Sequence, residues 1–284
     1  HKRIFGTGNL RIFITIFVSQ KFGSKTGGFV GGLPSTALLA FFFIGFTQSP
    51  EIASKATTAF PLAISFSGLF LVVFATLARK GFMLALASGV GFWFLLSAAF
   101  LFFSSDNFMI NLIIYAVVMF FAFLMLEKYL RVRSVVHKNI MSSTKQLALR
   151  SVYGGAIVTL TVIIERTAGP LVGGLFAGFP AMFISTLTVT YKSQGIEFSR
   201  ALTKPLMVTG MITIAVFAIG LRYLLPSTGL YFGTLLSLSI SAVSALFTYR
   251  YIFPNLNRKS SGINKSSFQK PQVTGCINFD SSFS

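Results

Sequence analysis

Nine apolar runs, separated by short polar breaks, follow one another along the chain: 5–19, 27–47, 58–77, 81–103, 108–126, 149–164, 171–191, 205–225 and 229–251. A helix needs roughly 20 residues to cross about 30 Å of hydrocarbon. Most of these runs reach that length, and none has the period-two alternation of outer-membrane barrel strands. The spacing predicts an all-α, polytopic transmembrane helical bundle of about nine spans. An eight-span reading omits the first run, which is short and carries Arg11. No small-residue cleavage site follows residues 10–18, so that run is read as a span and not as a secretory signal.

The polar and glycine positions that interrupt two of these runs match each other. Sliding the sequence by 146 positions, without a gap, lays residues 23–51 on residues 169–197 with seven identities in 29 positions. Gly23, Gly27, Gly28 and Gly32 fall on Gly169, Gly173, Gly174 and Gly178, and Pro34 falls on Pro180. Gln48 and Glu51 fall on Gln194 and Glu197. Every identity is glycine, proline or polar while the apolar residues between them vary, so backbone and polar requirements set the register. Five spans separate equivalent points, which makes the second copy enter the membrane from the opposite side: the repeats are inverted.

Composition agrees with the spans. With 54% hydrophobic residues and only 11% charged, the chain is not that of a soluble domain. The net charge of +18 follows from Lys and Arg flanking the spans, and nucleic acid is not an expected partner. The basic stretch 128–150 is placed in the cytoplasm, and alternation from there puts 18 of the 24 Lys and Arg on that side. That arrangement predicts a multi-pass protein of the cell (inner) membrane with its N-terminus outside and its C-terminus cytoplasmic. The divisions read from the sequence are a first repeat half over 1–127, a basic connection over 128–148, a second half over 149–253 and a disordered polar tail over 254–284. The lone Cys276 and two histidines leave little for metal or redox chemistry, and no cofactor is expected.

The stretch KFGSKTGGFVGGLPSTALLAFFFIGFTQSPE (21–51) resembles a group of uncharacterised bacterial and archaeal integral membrane proteins that share a GGLPST-type segment. ERTAGPLVGGLFAGFP (165–180) looks like the same motif. That resemblance implies a fold and no activity. Inverted repeats are also similar to the architecture of the drug/metabolite transporter superfamily, although nine spans differ from its five-plus-five pattern.

The chemistry the motifs allow is limited. Gly28 with Gly32, and Gly174 with Gly178, are spaced to bare one stripe of each helix for close backbone packing, whereas Gly45 lies outside the stripe and should tolerate substitution better. Pro34 cannot donate to Val30 and Pro180 cannot donate to Phe176, so each helix is expected to kink with a freed carbonyl. A partner for that carbonyl is a hydroxyl such as Ser35 or Thr36, water, or a bound solute or ion where two broken helices meet. The candidate substrate site is therefore Gly28, Val30, Gly32, Pro34, Ser35, Thr36, Gly174, Phe176, Gly178 and Pro180. Ser185, Thr186, Thr188 and Thr190 offer hydroxyls that bind substrate or bond back to their own helix.

Gln48 with Glu51, and Gln194 with Glu197, are each three apart. If helical, each pair shares a face and could form a gate; the competing reading is a helix cap, with Ser49 or Gly195 at the N-cap and the glutamate in the first turn. The other acidic residues look interfacial, with Glu165 beside Arg166 and Glu127 beside Lys128, and no buried carboxylate relay is expected. No HExxH motif and no nucleophile paired with a base is present, so an enzyme is not expected. A small-solute permease and a non-transporting scaffold or assembly factor remain, with the lipid bilayer and a possible solute or ion as partners and the oligomeric state open.

Overall fold

The computed structural model describes residues 34–102, 106–130, 144–248 and 250, and every element among them is helical. In chain order they are α1 (Ser35–Thr47), α2 (Pro50–Ala56), α3 (Phe60–Leu77), α4 (Phe82–Phe102), α5 (Phe108–Leu124), α6 (Thr144–Ala168), α7 (Pro170–Ala177), α8 (Ala181–Gln194), α9 (Ile196–Ala201) and α10 (Thr203–Phe247). A 3-10 turn, Ala78–Lys80, joins α3 to α4, and a π-helical turn, Met125–Tyr129, ends α5. Five stretches are long and apolar enough to cross a membrane: Phe60–Lys80, Phe82–Phe102, Phe108–Tyr129, Pro170–Gln194 and Ile196–Phe247. The first run, 5–19, and the tail, 254–284, lie outside the described residues. So do Gly28, Val30 and Gly32 of the candidate site.

The last of these stretches is two helices. Gly229 has φ 77° and ψ 177°, a conformation that glycine alone adopts without strain, and it folds α10 back on itself. Gly220 lies against Ser237, Gly233 against the Leu224 carbonyl, and the Ser241 hydroxyl donates to the Thr213 carbonyl at 2.9 Å, as in an antiparallel hairpin. Its two limbs correspond to the expected runs 205–225 and 229–251.

At the centre stands α3, packed by α4, α5, α7 and α10. Phe60, Phe70, Leu71 and Phe74 are fully buried in it, and Gly89 of α4 lies against the Phe70 ring. Outward-facing positions of α4, α5 and the second limb of α10 are apolar, including Leu95, Phe102, Phe121, Phe232 and Val243. Apolar outside, with serine and glycine inside the contacts, is the arrangement a hydrocarbon solvent selects.

Candidate functional site

The span Pro170–Gln194 is broken in its middle. Gly178 is the C-cap of α7 and Pro180 the N-cap of α8, with φ −76° and ψ 36°. Pro34 takes nearly the same backbone angles, φ −75° and ψ 53°, as the N-cap of α1. Each proline therefore stands where a helix starts. The expectation of a kink within a continuous helix is corrected at Pro180, because three residues there leave the helix altogether.

Three carbonyls at this break find donors inside the protein. Phe176 accepts from the Phe179 N–H at 3.0 Å, Phe179 from the Ala181 N–H at 2.8 Å, and Gly178 from the Ser67 hydroxyl at 2.6 Å. Ser67 belongs to α3 and is buried. The Phe176 acceptor, for which a hydroxyl, water or a bound solute was expected, is thus occupied by the backbone itself. Trp93, fully buried, covers the break with its ring edge-on to Phe176 and Phe179 at 5.9 and 5.1 Å. Ser185, Thr188 and Thr190 each donate back to their own helix, which is the ordinary role of hydroxyls in an apolar span. Thr36 is partly buried on α1.

The glycine stripe of the second copy seats on the elements that follow the first. A Cβ on Gly174 would lie 1.7 Å from the Ala56 carbonyl oxygen of α2, and one on Gly178 would lie 2.4 Å from Ala63 Cβ of α3. A Cβ on Gly173 would meet Glu165 at 2.4 Å. A Cβ on Gly45 would also meet a neighbour, Leu230 Cδ1 at 2.5 Å, although a side chain yields more readily than a backbone.

The ends of α3 define two ends of the bundle, each closed by contacts between the halves. At one, Pro226 cannot bond the Arg222 carbonyl within α10, and the Ser54 hydroxyl of α2 donates to it at 2.8 Å. The Arg222 guanidinium returns the contact, donating to the Ser54 carbonyl at 2.9 Å and to Thr58 Oγ1 at 3.3 Å, over the Phe108 ring at 5.7 Å. Residues Asp106, Asn107, Phe108, Met109, Arg222 and Tyr223 line an open cleft there.

At the other end, Arg200 of α9 donates to the terminal carbonyls of two helices, Ala75 at 2.8 Å and Leu130 at 3.1 Å. Helix ends leave such carbonyls unpaired, and a cation suits them. Lys204, buried, pairs with Glu127 on the π-helical turn, and Arg79 pairs with Glu197 at 3.1 Å on the surface.

The Gln–Glu pairs do not share helix faces. Gln48 is the non-helical C-cap of α1, and Ser49 begins a new helix by accepting the Ile52 N–H at 3.3 Å, with Pro50 first in line and Glu51 in the first turn. The Glu51 carboxyl is held below its ordinary range by its own backbone N–H and by the Ser49 hydroxyl. Gly195, with φ 84°, separates Gln194 from Glu197 in the same way. Capping, not a shared gate face, is what the geometry provides.

Two interfacial pairings are likewise corrected. Glu127 pairs with Lys204 and not Lys128, because the π turn carries it toward the start of α10. Glu165 is 2% exposed and lies against Gly173, and no ion pair joins it to Arg166, which is exposed. Charge adjacency in sequence gave no signal for either, since both contacts are set by tertiary packing.

Residues 147–253 match a family described as a protein of unknown function, DUF3147. The match takes in the second motif copy, covers well under half of the chain, and names no activity. No curated protein and no solved structure matches.

Proposed function

We propose that the chain is a small-solute carrier of the membrane, built of two inverted repeats that rock against each other about the helix start at Pro34 and the break at Pro180. The observation that carries this reading is non-helical backbone, Gly178 to Pro180, in the middle of a span, where carriers place their sites. The repeat itself draws support from an exchange of contacts. Shifted by 146, Ser54 becomes position 200 and Arg222 becomes position 76. Ser54 meets the Arg222 carbonyl at one end, and Arg200 meets the Ala75 carbonyl at the other, so equivalent contacts, within one residue, close opposite ends. The solute would bind at the crossing of the broken helices, and the basic connection and C-terminus would be cytoplasmic by their charge.

A non-transporting scaffold is favoured by one observation of its own, the seating of Gly174 and Gly178 directly on Ala56 and Ala63 with the freed carbonyls satisfied. A thermal-shift screen of the purified full chain against metabolites and ions separates the two. The carrier reading expects a stabilising hit that is also taken up by proteoliposomes. A screen without hits, or a hit that binds without uptake, rejects it in favour of the scaffold. Orientation is tested by labelling Lys138→Cys and Ser261→Cys, both expected to react from inside only.

A further inference from the structure

Glu165 is the one described carboxylate that the fold hides without giving it a cation. It is 2% exposed, its Oε2 has no hydrogen-bond partner, and its Cβ and Cγ press on Gly173. Among the described residues, the helices packed most closely on α6 are α7, α1 and α8. Neither α1 nor α7 carries a charged residue, and the only one on α8, Lys192, is at that helix's far end. On α6 itself Arg166 points to the exterior, as do Glu51 and Lys55 of α2, which packs on α7. An ionised carboxylate in such surroundings is poorly solvated, with only the neighbouring, exposed Arg166 to offset its charge, whereas the protonated acid is tolerated.

The position is mechanical as well. Gly169, with φ 90°, is the only residue between α6 and α7; its N–H donates to the Glu165 carbonyl at 2.8 Å, and its carbonyl accepts from Gly173 at 3.1 Å. The Glu165 side chain fills the angle of this elbow.

We propose that Glu165 is a proton-binding site, and that release of its proton opens the elbow at Gly169 by driving the carboxylate out from under Gly173. The site stands on the surroundings of Glu165 alone, while its use to drive a solute rests on the carrier reading. Opening would swing α7, and with it the break at Gly178, relative to α3.

The test uses the full chain in lipid nanodiscs and an apolar carbodiimide, which modifies protonated carboxyls, read by peptide mass spectrometry across pH 6 to 9. Expected is modification of Glu165 at pH 7 at least tenfold above that of exposed Glu51 and Glu197, falling as pH rises. Thermal stability of the wild type should fall over the same window, because the folded state holds the proton that the unfolded chain gives up, and Glu165→Gln should be flat. Labelling of Glu165 no stronger than that of Glu51 and Glu197 overturns the proposal, and so does a pH-independent level. Stabilisation at pH 9 by sodium but not by choline would assign the site to a metal cation and also overturn it. Should Glu165→Gln not fold, the wild-type labelling decides alone. A carrier screen without hits leaves this result untouched, so the two failures are distinct.

Discussion

The Arg222 end and the Arg200 end do the same mechanical work with different chemistry. At the first, a serine hydroxyl fills the carbonyl that Pro226 releases, and the arginine answers from the same residue. At the second, the arginine comes from the short helix, fills two helix ends, and is flanked by both of the ion pairs found among the described residues. The comparison teaches that what the two ends share is the place where a short helix meets a long one. The groups used there are free to differ, provided each supplies a donor.

The largest effect expected from disturbing this arrangement is at Gly174. A methyl there collides with the Ala56 backbone, so Gly174→Ala should cost about 3 kcal/mol, while Gly155→Ala, with open space around it, should be neutral or slightly stabilising. Thermal melts of the two variants in one detergent check this. Equal tolerance would rule out the close packing of α7 on α2 beside the Arg222 end.

Next come the charges of the Arg200 end. Glu127→Gln leaves Lys204 buried without a counter-charge and should cost about 2 kcal/mol, after discounting for the partial exposure of Glu127. Lys204→Met, which leaves the more exposed partner, should cost less than half of that, and a reversed order would place the desolvation at Glu127.

Ser67→Ala should then cost about 1 kcal/mol through the Gly178 carbonyl. Thr213 stands 146 positions further on, and a similar loss for Thr213→Val would favour the proposed repeat. Glu197→Gln should cost under about 0.5 kcal/mol, since both partners of that pair are more than 60% exposed, and added salt should erase the difference.

The smallest effect is at Glu51. Its carboxyl is held below the ordinary range, so its contribution is present above that range and is lost as pH falls through it. Glu51→Gln should lower melting slightly at neutral pH and converge with the wild type in acid, where the wild type has lost the same contribution.

Much of the fold was legible in the sequence because lipid makes apolar runs long. The spans around 58–77, 81–103 and 108–126 are α3, α4 and α5, and the two last runs are the limbs of α10. The start of α2 could be read residue by residue, since Ser49, Pro50 and Glu51 each act locally. Less visible were Ser54, Ser67 and Arg222, whose partners lie 111 to 168 residues away. Serines are common in apolar helices, and nothing in their spacing says which carbonyl they will serve. Glu165 was misread for the opposite reason: Arg166 beside it supplied a plausible local partner, while successive residues on a helix face different ways. Gly45 was expected to tolerate substitution better because it lies outside the repeated stripe, yet Leu230 from the second limb of α10 packs against it.

The fold at Gly229 bears on how the protein is made. Between the two limbs of α10 lie only Pro226, Ser227, Thr228 and Gly229, and the nearest charge is Arg222. A segment so short and nearly uncharged is cheap to carry across a bilayer. The limbs also hide each other's polar atoms, with Ser237 and Ser241 buried between them. Thr203–Phe247 is therefore suited to form as one unit, a closed pair that needs no other element to cover the polar atoms between its limbs. A chain ending at Gly229 would leave Gly220 and the Thr213 carbonyl without the Ser237 and Ser241 contacts that cover them here.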